Sequence, residues 1–103
     1  MNIEKNQNGT EVTLLLAGRL DTTTAPQLEM KIQESLEGTE RLILDFKDLE
    51  YLSSAGLRVL LSAHKAIMKQ GGDMRIRHVN EVIHDVFEIT GFMDVLHIEQ
   101  IAR

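Results

Sequence analysis

The stretch RLILDFKDLEYLSSAGLRVLL, residues 41–61, decides the fold. Its first six residues, RLILDF, form a compact apolar run bounded by polar residues, as expected of a strand covered on both faces or nearly so. Such a strand belongs at the centre of a sheet. From Leu57 onward the apolar residues Leu57, Leu60, Leu61, Ile67 and Met68 keep helical spacing, and Gly71-Gly72 closes the segment. Between strand and helix lies SSAG, residues 53–56, two hydroxyls followed by two small residues at the joint.

The same alternation extends both ways along the chain. Upstream, LDTTTAPQLEMKIQESLEG (20–38) puts Leu28, Ile32 and Leu36 on one helical stripe, with Gly38 placed to stop it. Thr24 with Gln27 matches a capping box, and Pro26 in the first turn needs no intrahelical donor. Before that helix, NQNG (6–9) carries the turn signal Asn8-Gly9 and EVTLLLAG (11–18) is rich in strand formers, which predicts an antiparallel hairpin of two short strands. Downstream, DMRIRHV (73–79) reads as a strand. NEVIHDVFEIT (80–90) reads as a helix capped by Asn80 and ended by Gly91, and DVLHIEQI (94–101) as a last short strand. The order β-β-α-β-α-β-α-β implies right-handed crossovers and mainly parallel pairing after the hairpin. No repeat, low-complexity tract or linker interrupts it, so one domain over 1–103 is expected.

Composition bounds the function. A chain of 103 residues, 43% hydrophobic and 26% charged, suits one globular core. Eleven basic against sixteen acidic residues, a formal charge of -5, disfavour nucleic acid or an anionic membrane as the main partner. The absence of cysteine excludes disulfides and thiol catalysis and permits a reducing compartment, so the cytoplasm is the expected location. The longest apolar stretch, around 12–17, falls far short of the roughly 18 residues of a membrane helix, and the amino terminus has no signal-peptide apolar region.

The chemistry-bearing residues gather at the strand-to-helix joints. Ser53 and Ser54 stand where unpaired backbone N–H groups and the helix dipole favour an anion, and either hydroxyl can cap the helix. A phosphate there would sit at the positive end of a helix and alter the surface more than the fold. Helical projection places Leu57, Leu60, Leu61, His64 and Met68 toward the core. Ala55, Val59, Ser62 and Ala66 fall on the opposite side, flanked by Arg58, Lys65 and Lys69, a small-residue stripe that can seat a partner's helix or simply be solvated. Asp21 lies in the connection before TTTAP, either a surface contact or a cap for the first helix turn. Asp45 and Asp48 are assigned to turn formation. The histidines His64, His78, His84 and His97 make no metal signature, and His64 reads as a hydrogen-bonded packing residue. No metal or cofactor is expected, and no hydrolase or nucleotide-binding motif is present. With no histidine base identifiable beside Ser54, the chain is not expected to be an enzyme.

Three stretches, LLAGRLDTTTAPQLEMKI (15–32), LILDFKDLEYLSSAGLRVLL (42–61) and GGDMRIRHVNEVIHDVFEITGF (71–92), closely resemble the STAS-domain family, in particular the bacterial anti-sigma factor antagonists. The resemblance implies an α/β fold with a mixed sheet, an N-terminal hairpin followed by β-α units, and helices packed mainly on one face. In that family the segment opening the second helix usually reads Asp-Ser-Ser/Thr-Gly, with a serine phosphorylated by an anti-sigma kinase. Laid over this chain, Ser53 takes the aspartate's place, Ser54 the phosphorylated serine's, Ala55 the next hydroxyl's and Gly56 the glycine's. Asp21 matches an aspartate of the pattern G-x-L-D. The implied role is partner switching: the unmodified domain binds an anti-sigma factor of the serine-kinase type and frees sigma, and phosphorylation of Ser54 prevents this, with a phosphatase as a further candidate partner. The implied partner-facing residues are Asp21, Thr22, Ser53, Ser54, Ala55, Gly56, Arg58, Val59 and Ser62. A non-phosphorylated STAS subunit of a larger signalling or transport assembly is the alternative.

Overall fold

Along the second strand Val12, Leu14 and Leu16 are buried at every other position, with half-buried residues between them, so one face of that strand is committed to a core. A computed structural model describes residues 1–99 and shows where that face leads. Its elements are β1 (Asn2–Asn8), β2 (Glu11–Leu20), α1 (Ala25–Leu36), β3 (Arg41–Leu52), α2 (Ser54–Lys69), β4 (Asp73–Arg77), α3 (Glu81–Thr90), a 3-10 turn (Phe92–Asp94) and β5 (His97–Ile98). The sheet runs β1-β2-β3-β4-β5, with β1 antiparallel to β2 and the other pairs parallel, so β3 is central as its sequence demands.

Register carries the core across the sheet. Val12 and Leu14 pair with Leu42 and Leu44, which pair in turn with Met74 and Ile76. Against this face pack Leu28 and Ile32 of α1, Leu57, Leu60 and Ile67 of α2, and Ile83 and Phe87 of α3. The Phe46 and Phe87 rings stack at 6.2 Å. All three helices therefore cover one face, and because the strands advance in one direction, their crossovers share one hand. Ile43, directed to the other face in register between Thr13 and Arg75, is buried too.

Several local readings are corrected. The hairpin turn consists of Gly9 and Thr10, with Asn8 paired to Glu11, because Gly9 takes the positive φ (62°) at the first turn position. Thr24 makes no side-chain cap. Its hydroxyl instead donates to the Arg19 carbonyl at 2.7 Å, and Gln27 reaches the Met1 carbonyl at 3.1 Å. The central strand extends six residues past Phe46 to Leu52. Between Leu15 and Ala17, and again between Gly18 and Arg19, β3 inserts one extra residue against β2. Each insertion shifts the pleat by one, so the inward residues continue as Leu49 and Leu52 at spacings of three. Asp45 lies within this strand, not in a turn, and accepts from the Lys47 N–H at 3.0 Å where the ladder is disrupted. Asp48 is likewise in the strand, opposite Ala17. The last strand is confined to His97–Ile98, followed by a Glu99 N–H to Ile76 carbonyl bond. The expected strand positions Gln100 and Ile101 lie outside the described residues.

The helix ends follow the sequence closely. Asn80 accepts from the Ile83 N–H at 2.9 Å to open α3, and Gly91 closes it in the left-handed conformation. Gly71 and Gly72 close α2 with bonds to the Met68 and Ile67 carbonyls. The Gln70 side chain then ties that end to α1 by donating to the Leu36 and Thr39 carbonyls.

Candidate functional site

The two serines at the start of α2 do different things. Ser53 is the N-cap, with extended backbone, and its hydroxyl accepts from the Gly56 N–H at 3.3 Å. Its own N–H donates to the Leu20 carbonyl at 2.9 Å, which moors the cap to the end of β2. Ser54 is the first residue of the helix and is exposed. Since Ser53 supplies the cap, the Ser54 hydroxyl is left uncommitted to it at the positive end of a 16-residue helix. Gly56 faces inward. A Cβ there would lie 2.6 Å from Leu20 Cγ and 2.8 Å from Leu52 Cδ1, so glycine lets the first turn of α2 rest on the ends of β2 and β3. Gly56 is itself buried, so it lies beneath the exposed start of α2 and sets how closely that turn approaches the sheet.

Asp21 organises the neighbouring loop. Its Oδ1 accepts from the Thr23 N–H (3.0 Å), the Thr23 hydroxyl (2.7 Å) and the Thr24 N–H (3.1 Å), taking the capping work expected of Thr24. The Thr23 hydroxyl, joined by the backbone N–H groups of Thr24 and Thr23, holds the carboxyl below its ordinary value against an opposing effect of partial burial. Its Oδ2 faces Arg19 Nε at 3.8 Å, and the Arg19 guanidinium lies 4.1 Å from the centre of the Tyr51 ring. The carboxylate is thus a local scaffold with one oxygen toward the surface.

A groove between α1 and α2 brings most of the expected residues together. Thr22, Ala55, Arg58, Val59 and Ser62 line it, opposite Ala25, Pro26 and Glu29. It continues along the helix pair past Gln33 and Ala66. The α1 wall was missed from sequence; its signal was the exposed spacing of Pro26 and Glu29 on the flank of an amphipathic helix. Val59 is only 9% exposed and Met68 is 53% exposed, the reverse of the projected faces. Helix α1 lies along the Val59–Ala63 side of α2 and rotates the buried arc toward itself. His64 is half-buried, and the hydrogen-bonded role expected of it is corrected at Nδ1, which is sealed from solvent without a partner among the described residues. Among the described residues no cluster of His, Asp or Glu is arranged to hold a metal, and no helix is long and apolar enough to cross a membrane.

The family model of the STAS domain matches residues 2–101. The chain belongs to the STAS domain family. A Bacillus subtilis anti-sigma-B factor antagonist is 32% identical over 95% of this chain and 90% of its own length. Among solved structures, Thermotoga maritima TM1081 superposes with a TM-score of 0.88 at 20% identity, covering 95% of this chain and 86% of that one. The Bacillus cell-fate determinant SpoIIAA, solved in its phosphorylated form, gives 0.75 at 18% identity, covering 96% and 92%.

In this STAS domain the N-cap of α2 is the uncharged Ser53, so no carboxylate caps the helix beside Ser54. Ala55 is half-buried behind the exposed hydroxyl.

Proposed function

We propose that this chain is an anti-sigma factor antagonist that works by partner switching. Unmodified, it binds an anti-sigma factor of the serine-kinase type through the amino end of α2 and the adjoining groove, which releases a sigma factor in the cytoplasm. Modified at Ser54, it no longer binds, and a phosphatase restores it. The observation that carries this reading is the division of labour at the helix start: Ser53 caps, and Ser54 is exposed beside the groove. The name of the 32%-identical relative supports it, as does the existence of a phosphorylated form of SpoIIAA.

In the modification, the Ser54 Oγ takes the γ-phosphoryl group of ATP, ADP departs and the hydroxyl proton passes to a base of the kinase. The product carries about -1.5 to -2 charge. Within a docked interface that charge must be desolvated without a matching partner. Disrupting a charge-matched contact costs about 2–5 kcal/mol, roughly 30-fold to several-thousand-fold in affinity.

The neutral Ser53 favours a second reading, an unphosphorylated STAS interaction subunit of a larger signalling or transport assembly. Intact-mass measurement separates the two. After incubation with ATP and an anti-sigma serine kinase from the same organism, the chain is expected to gain one phosphate, and Ser54→Ala none. Loss of the phosphate in Ser53→Ala instead would move the acceptor by one position, and no gain in the unaltered chain would favour the subunit.

A further inference from the structure

Ser54 opens α2, and Arg58 follows four residues later, one turn on and on the same outward face. Arg58 is exposed and lines the groove with Glu29, yet among the described residues it makes no ion pair. Another cation at this end of the sheet, Arg19, is already engaged by Asp21 and the Tyr51 ring. Side chains at i and i+4 of a helix stand about 5–6 Å apart at Cβ, and the order with the anion toward the amino end is the favourable one, because it runs with the helix dipole.

Resting on the phosphorylation reading above, we propose that Arg58 is the intramolecular partner of a phosphate on Ser54. The guanidinium leaves the groove wall and pairs with the phosphate oxygens, a task for which its planar fork of donors is suited. Modification then changes the docking surface twice: it adds a dianion at the helix tip and withdraws a cation from beside Thr22 and Pro26. The same pairing holds the modified first turn of α2 in place, so the phosphate is accommodated without unfolding the helix.

The test needs no kinase. Phosphoserine is installed at position 54 during synthesis of the full chain, so the absence of a kinase would sink the functional reading and leave this measurement intact. The phosphorus NMR resonance is then followed against pH. With Arg58 present, the second ionisation of the phosphate is expected at least about 0.3 unit lower than in Arg58→Gln, the size of an exposed i,i+4 ion pair. Arg58→Lys should recover part of the shift and Lys65→Gln, three turns away on the same face, should have no effect. Identical titrations of the Arg58 and Arg58→Gln chains, or an equal displacement by Lys65→Gln, would overturn the proposal.

Discussion

Gly56 and Asp21 show how single residues set the local geometry of the site. At Gly56, alanine would gain about 1 kcal/mol of helix propensity but drive its Cβ to 2.6 Å from the buried Leu20 Cγ. Overpacking of that kind costs about 1–3 kcal/mol, and three contacts under 3.0 Å place this site above the low end of that range, so Gly56→Ala is expected to lower stability by up to about 2 kcal/mol net in a denaturant titration. At Asp21 the folded carboxyl is held below its ordinary value near 3.8, so its stabilising contribution is complete above that pH and is lost as pH falls through the depressed folded value. Acid unfolding below about pH 4 should therefore be less steep in Asp21→Asn than in the parent chain, while an unchanged pH profile would show that the threonine bonds do not act on the carboxylate. The division between Ser53 and Ser54 belongs to this scale as well. Sequence alone left both able to cap, because only the position at which the chain turns into the helix decides which hydroxyl reaches the Gly56 N–H.

At the scale of elements, what could be read depended on whether a periodic pattern was local. Helix α3 was legible from end to end because its cap, apolar spacing and terminal glycine all lie within the segment. Its cap also reaches outside it: the Asn80 side-chain amide donates to the Leu49 carbonyl at 3.1 Å. Asn80→Ala should thus cost about 1–2 kcal/mol, and amide exchange should rise both in the first turn of α3 and along the distal half of β3. The full length of β3 was not legible. Its two extra residues break the alternation after Phe46, and insertions of that kind are defined only against the register of β2. The exposed face of α2 was misassigned at Val59 and Met68 for a similar reason: the flank that a helix buries depends on where its neighbour lies, and nothing within residues 54–69 specifies the position of α1.

Across the whole molecule, the parallel order places the Asp21 loop and the start of α2 at the carboxyl end of adjacent strands, where the groove between α1 and α2 opens beside them. The sheet and the buried faces of the helices fix this geometry from beneath, while the surface carrying Ser54 takes no part in the core. A dianion at Ser54 should accordingly change association and leave the fold intact. The most direct measurement is the affinity of the cognate anti-sigma factor for the chain in its unmodified and Ser54-phosphorylated forms, determined by titration calorimetry. The account predicts a loss of at least about 30-fold on phosphorylation, with Ser54→Asp weakened in the same direction and Ser54→Ala unaffected. Equal affinity of the phosphorylated and unmodified chains would contradict it.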